Sequence, residues 1–323
     1  MNGVSIVIPN WNGADKLVDT IEALLWNLKE LSYPFEIIVV DDASTDNSRE
    51  ILRVFDNITI EYNNTNQGFS KTANKGVQLA GYDLVFIMSN DIVIGDSFES
   101  LIAHFNDPSV FAVSPQVMWS DGRFAYGKRS VMWHHGYFKV REHSEYTYPV
   151  HTLFACGGSG MFRRNVFLEL GGFDDMYSPF YWEEIDLCYR AWKRGYTVIH
   201  DPRAVVCNNS AGVIKKHFSP RYIKHISGRN SYLFLWKNIT SPNLIREHVR
   251  CLLPSLLKEI FACRFRFPMC FFAALEYLPQ VLFMRRQEKR HAGLSDNEVI
   301  ARVNNDTPVY QELETRKLER VTQ

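Results

Sequence analysis

Short runs of Val, Ile and Leu recur through the first ninety residues, and each is followed by a stretch whose apolar positions have helical spacing. Residues 4–9 form a brief β-branched run stopped by Pro9 and the Asn10–Gly13 turn, which predicts a buried strand. In residues 16–28, Leu17, Ile21, Leu24, Leu25 and Leu28 share one helical face, with Asp15 as the expected N-cap. The alternation continues with a strand over 36–40 and a helix over 47–54 capped by Ser44 or Thr45. A strand over 58–62, a helix over 71–80 and a strand over 84–88 follow. Strands alternating with helices predict βαβ units, hence an α/β fold with an open, mostly parallel sheet between helical layers.

The regularity then fades. Residues 110–119 begin a less regular part, and 120–150 read as a loop-rich, aromatic, His-containing insertion. A strand is expected over 156–162, a short helix over 165–170 ended by Gly171-Gly172, a helix over 186–194 stopped by Gly195, and a strand over 197–200. Past residue 240 helical spacing dominates, and apolar stretches at 251–257 and 267–283 alternate with arginines. Residues 246–290 hold nine Lys/Arg against four Glu. The expected division is a catalytic domain over 1–240 and a helical, basic and apolar extension over 241–323, ending in a polar helix or frayed tail. Glu276 and Pro279 make 267–283 a poor spanning helix, so the extension suits a membrane surface, with packing on the domain or a dimer interface as the alternative.

Composition changes little. An apolar fraction of 46% and a charged fraction of 22% are those of a globular protein. Lys plus Arg equals Asp plus Glu at 36 each, which argues against a dedicated nucleic-acid binder. The six cysteines form no CxxC pair, and the N-terminus shows no basic leader, so a cytoplasmic chain with reduced thiols and no secretory signal is expected.

Two apolar strands run straight into aspartate: Asp41-Asp42 after the second, Ser89-Asn90-Asp91 after the fourth. Unpaired carboxylates are costly inside a strand, so these belong at the sheet's carboxyl edge, where open α/β folds bind ligands. Asp41 and Asp42 suit a ribose or base edge, or equally a turn and cap cluster. Asp91 suits Mg²⁺ or Mn²⁺ on a diphosphate, or a turn cap. Gly68 in NQGFSKTANKG sits before a helix whose free amides could take a phosphate. In FYWEEIDLCYR, Glu183, Glu184 and Asp186 beside Trp182 could serve a helix dipole or supply a general base of raised pKa. GRFAYGK fails as a phosphate loop because Arg129 replaces the Ser/Thr, and CGGSGM fails as a nucleophile elbow because Met161 replaces the last glycine.

In order and spacing, SIVIPNWNG, VVDDASTDNS, NQGFSKTANKG, SNDIVI, GGSGMFRRNVFLELGGFDD, FYWEEIDLCYR and RNSYLFLWKN resemble family 2 glycosyltransferases of GT-A fold. The nearest subgroup in pattern is the rhamnosyltransferase-like enzymes of bacterial surface polysaccharide synthesis. The resemblance covers about three quarters of the chain. It implies inverting transfer from a nucleoside diphosphate sugar to a glycan or lipid-linked hydroxyl. By that resemblance Pro9, Asn10, Trp11, Asn12, Asp41, Asp42, Gly68 and Asn90 attend the nucleotide, and Asp91 holds the Mg²⁺ or Mn²⁺. Glu184 is the base, able to exchange roles with Glu183, while Asp186 and Arg190 support the helix start and Gly158 and Trp182 border the acceptor. Three departures stand out: Ser89 replaces a first metal-motif acid, Glu184 an aspartate, and Asn208 a metal-reaching histidine for which His217 could substitute. A sugar-nucleotide nucleotidyltransferase and a non-catalytic sugar-nucleotide binder are the competing functions. Because such relatives use lipid-linked acceptors, the resemblance favours a peripheral position on the cytoplasmic face of the inner membrane, with a homo-oligomer through the extension as the alternative.

Overall fold

The computed structural model describes residues 2–29, 31–95, 98–209 and 213–311. The end of the expected extension, 312–323, therefore lies outside the described residues. The strands are β1 Val4–Asn10, β2 Phe35–Asp41, β3 Thr59–Tyr62, β4 Leu84–Met88, β5 Ile92–Ile94, β6 Val110–Trp119, β7 Phe124–Tyr126, β8 Lys128–His134, β9 Tyr137–His143, β10 Val150–His151, β11 Ser159–Arg163 and β12 Thr197–Asn208. The helices are α1 Ala14–Asn27, α2 Ser48–Leu52, α3 Phe69–Leu79, α4 Phe98–Ala103, α5 Arg164–Glu169, α6 Glu183–Lys193, α7 Val213–His217, α8 Pro220–Asn238, α9 Pro242–Phe261, α10 Arg266–Leu275, α11 Leu278–His291 and α12 Asp296–Val303.

The main sheet runs β10-β12-β6-β11-β4-β1-β2-β3, with β5 on β12 and β7 on β6. From β4 to β3 all neighbours are parallel, as the βαβ pattern requires. β11 lies antiparallel between β4 and β6. β1 is buried on both faces: Ile6 and Ile8 belong to the apolar cluster that holds Leu17 and Ile21 of α1, while Val7 belongs to the one that holds Ala73 and Val77 of α3. That double burial is why the strand reads as an unbroken apolar run rather than an alternation.

Several elements differ from the sequence reading. Asp15 does not cap α1; Gly13 holds the cap position, and Asp46 from the β2–α2 loop accepts the Ala14 amide at 2.9 Å. Ser44 and Thr45 likewise bond to Asn12 instead of capping α2, whose N-cap is Asn47. β6 is one ten-residue strand, and β12 extends eight residues past the expected end. Residues 128–143 form an antiparallel ribbon whose two-residue turn, His135-Gly136, has positive φ at both positions. Such turns match the twist of their strands, but His at the first position hides the signal usually given by Asn-Gly.

The C-terminal helices do not stand apart from the sheet. Cys270, Ala274, Val281, Val299 and Val303 belong to the same apolar cluster as Phe111 and Trp192. Asp296 at the start of α12 is buried and accepts from Tyr189 Oη and Lys193 Nζ of α6, each at 2.8 Å, and from the Thr240 and Ser241 amides. Lys128 on β8 is buried against Asp306.

Candidate active site

The carboxyl ends of β4, β1 and β2 are joined by one buried polar chain. Asn90 donates to Asn10 Oδ1 at 2.8 Å, and Asn10 donates to Asp41 Oδ1 at 3.1 Å. Asp41 also accepts from the Ser44 amide and from Arg49 Nε at 2.9 Å. Its carboxylate is fully buried, so it braces the loops. Those loops border a cavity of about 250 Å³ lined by Asn12, Gly13, Asp46, Asn90, Lys216 and His217. Trp11 packs its ring 4.9 Å from that of His217. Pro9 lies inside β1, in register with Val40.

Asp42 is also enclosed. Asn63 donates to Oδ1 at 2.8 Å, the Gln67 amide to the same oxygen and the Gly68 amide to Oδ2, both at 2.8 Å. Gly68 has φ 82° and ψ 169°, a conformation essentially confined to glycine. The Gly68 amide expected for a phosphate is thus already bonded, and the carboxylate expected for a ribose or base is what it bonds. Asn63, which takes part in this clamp and accepts from Lys75 Nζ at 3.0 Å, was not singled out from sequence. A buried Asn after a strand was its only signal.

The acids of α6 sit differently from the sequence expectation. The helix begins at Glu183, so Glu183 and Glu184 occupy its first turn rather than the loop before it. Tyr181 and Trp182 both adopt positive φ, 70° and 83°, a strained entry for non-glycine residues. Asn230 of α8 over-determines it, donating to the carbonyls of Tyr177, Phe180 and Tyr181 at 2.6, 3.1 and 2.9 Å. Arg229 adds a bond to the Ser178 carbonyl, and Trp182 packs against Phe234.

Glu183 is buried, and Glu183 and Glu184 each keep one enclosed carboxylate oxygen without a hydrogen-bond partner. Burial, then the neighbouring Glu184 charge, pushes the Glu183 carboxyl well above its usual range. Burial raises Glu184 too, but the Arg129 charge and the Gly157 amide oppose that rise. Both carboxyls are thus raised, Glu183 the more strongly, so the pair resists carrying two charges and the Arg129 charge favours Glu184 as the ionised member.

Asp186 and Arg190 lie deeper. Asp186 accepts from Tyr177 Oη at 2.8 Å, Arg190 Nε at 2.8 Å, Lys237 Nζ at 2.9 Å and Asn238 Nδ2 at 2.7 Å. Burial would lift its pKa, yet Lys237 and Arg190 outweigh burial and hold it far below the usual carboxylate range. With four donors on two oxygens, Asp186 fixes α6 to α8 and has no lone pair left for proton transfer, in contrast to its expected place beside the glutamates.

Arg129, noticed in the sequence only for spoiling a phosphate-loop match, is buried opposite the pair. It is held by Glu142 at 3.2 Å and by the Phe154 and Tyr126 rings at 4.5 and 5.4 Å. Gly158 meets Ser89: the Ser89 amide donates to the Gly158 carbonyl at 2.9 Å, and a Cβ on Gly158 would fall 2.5 Å from Ser89 Oγ. That close contact joins the degenerate acidic motif to the strand entering beside Glu184. Asp91 is buried at the end of this turn, its carbonyl accepting the Asn209 amide, and Asn208 stands in register with Ile92. Among the described residues no three His, Cys, Asp or Glu converge as a metal cage. Asp91 therefore fits a cation only when a ligand's own oxygens complete its coordination.

The glycosyl transferase family 2 model matches residues 5–171. The chain is 25% identical to chondroitin synthase of Pasteurella multocida (strain Pm70) over 60% of its own length and 23% of that protein. It is 24% identical to the O-antigen chain rhamnosyltransferase RfbN of Salmonella typhimurium over 63% and 65% of the two chains. Both alignments span less than two thirds of the relative. Among solved structures, GalNAc-T7 with UDP, GalNAc and Mn²⁺ superposes with a TM-score of 0.58 at 16% identity, covering 73% of this chain and 48% of that one. S. aureus TarS 1–349 with UDP gives 0.53 at 15% identity over 90% and 88%. A GT-A sheet topology and a family match over half the chain lead to one conclusion: the protein belongs to glycosyl transferase family 2.

Proposed function

We propose that the protein transfers a sugar, with inversion, from a nucleoside diphosphate donor to a hydroxyl of a glycan or lipid-linked acceptor in cell-surface polysaccharide synthesis. The observation that carries this reading is the buried Glu183–Glu184 pair in the first turn of α6, each with an unpartnered carboxylate oxygen, with Arg129 favouring the charge on Glu184. Glu184 takes the proton of the acceptor hydroxyl as that oxygen bonds the anomeric carbon. The bond from that carbon to the diphosphate breaks on the opposite face, and the nucleoside diphosphate leaves. Glu183, holding its own proton, keeps a second negative charge away from the base.

The 250 Å³ cavity bordered by Asn12, Asp46 and Asn90 is the assigned nucleotide side, with His217 in its wall and the Trp11 ring packed against His217. Asp91 is the residue assigned to a divalent cation, which when bound would neutralise charge growing on the leaving diphosphate. The names of RfbN and chondroitin synthase, and the nucleotides and Mn²⁺ of the structural neighbours, favour this assignment. The donor is assigned to dTDP-rhamnose or a UDP-hexose.

The test is a donor screen with dTDP-rhamnose, UDP-galactose, UDP-glucose and GDP-mannose, read by thermal unfolding and by slow hydrolysis. One donor is expected to raise the unfolding temperature and to be hydrolysed. Glu184→Gln should keep the thermal shift and lose turnover. A nucleoside triphosphate that stabilises the protein where no diphosphate sugar does would turn the reading toward nucleotidyl transfer.

A further inference from the structure

Helix α9 has two unlike faces. Inward, Glu247 accepts from Trp133 Nε1 at 2.8 Å and from the Gly136 amide at 2.9 Å, and His248 is buried against the Gly136 carbonyl. These bonds fix the helix's rotation, so its other face cannot roll inward. Outward, Val249, Leu253, Leu257, Ile260 and Phe261 are exposed at offsets of 0, 4, 8, 11 and 12, a single stripe along a twenty-residue helix. Phe261 is 83% exposed and Leu253 62%. The stripe continues onto α10 through Phe265, Met269 and Phe272, all about half exposed. Contiguous apolar surface of this extent on a folded chain marks a binding face.

The cations around it identify the occupant. Arg246, Arg250, Lys258, Arg264 and Arg266 are exposed along the same segment, and its acids Glu247 and Glu259 are only partly exposed. A second copy of this chain meeting the face through a two-fold axis would bring those cations against one another. An anionic lipid surface pairs with them while its acyl region receives the stripe. Spanning does not fit: no single described helix is long and apolar enough to cross a membrane, and α10 with α11, which together reach that length, bend by 70°. Both also bury residues in the common core.

We propose that α9 and the start of α10 form an in-plane docking face for an anionic membrane surface, such as the cytoplasmic leaflet. This proposal stands independently of the assigned sugar transfer, because none of these residues belongs to the acid pair or the nucleotide cavity.

Flotation of the full chain with phosphatidylcholine vesicles, with and without one third phosphatidylglycerol, tests it. Recovery should be at least about tenfold higher with the anionic vesicles at low salt and should fall as salt screens the cations. The double variant Leu253→Glu/Phe261→Glu should lose about tenfold of that recovery, and Arg250→Gln/Arg264→Gln should lose the preference for anionic lipid. Both change exposed side chains, so unchanged circular dichroism and unfolding temperature verify that the fold persists. Equal recovery with and without anionic lipid, or full binding by the Leu253/Phe261 variant, would overturn the proposal. So would a stable dimer that this same variant splits, which would assign the face to a second copy.

Discussion

The Gly68 amide closes on Asp42 at 2.8 Å, so two residues that each look like ligand contacts in the sequence are partners of one another. The clamp sets the turn between β3 and α3. Gly68→Ala is expected to cost about 1–3 kcal/mol, because alanine does not tolerate φ 82° with ψ 169°. Asp42→Asn should also destabilise, by removing an ionised acceptor from three donors. Equilibrium urea unfolding measures both; an Asp42→Asn protein with unaltered stability but impaired donor binding would return Asp42 to the nucleotide.

The acid pair makes a separate prediction for each of two neighbours of Glu184 in a pH profile. Glu184 works ionised, and burial raises its pKa, so kcat/KM should fall on the acid side at a pH above the usual carboxylate range. The Glu183 side chain lowers the Glu184 pKa, so Glu183→Ala should move that limb to higher pH. Arg129→Met removes the opposing charge and should move it to higher pH. A limb that moves to lower pH in either variant would contradict the division of roles. Glu184→Gln should reduce turnover by roughly 10²-fold or more, the scale of a lost general base.

Asp186→Asn is expected to destabilise by about 3–5 kcal/mol, since it leaves Lys237 and Arg190 buried without their counter-charge. The folded-state pKa of Asp186 is depressed. Its contribution to stability is therefore full above the ordinary carboxylate range and is lost as pH falls through that range and below. Wild type should lose stability on acidification faster than Asp186→Asn, and parallel stability-against-pH curves would remove the charge from the account.

Gly158→Ala should lower activity by forcing Ser89 aside, because the new methyl would lie 2.5 Å from Ser89 Oγ. Adding Ser89→Ala removes that oxygen and leaves the Ser89 Cβ 3.6 Å away, an ordinary contact. The double variant should recover most of the loss. A double variant as impaired as Gly158→Ala would show that the contact is not the cause.

What could be read from sequence was local. β4 occupies the residues that its apolar run marks, and the first three strands and helices fall within a few residues of their patterns. Asn10 and Asn90, both expected at the nucleotide, are bonded to one another across eighty positions. The residues missed carry no local pattern. Asn63 and Arg129 matter only through partners brought to them by the fold, and Asn230, although inside the RNSYLFLWKN motif, shows its role only through the carbonyls it meets. The start of α6 was misplaced because Tyr181 and Trp182 take a backbone conformation their side chains disfavour, paid for by three bonds from Asn230.

The Asp296 tie has a consequence for the chemistry at the opposite end of α6. Lys193, in the last turn, is anchored by Asp296, while Glu183 opens the first turn about 15 Å away along a rigid rod. The height at which the acid pair stands is thus set partly by a residue more than a hundred positions later in the chain. A protein shortened at residue 240 would keep every assigned catalytic side chain and still lose the far-end stop that holds them at working depth.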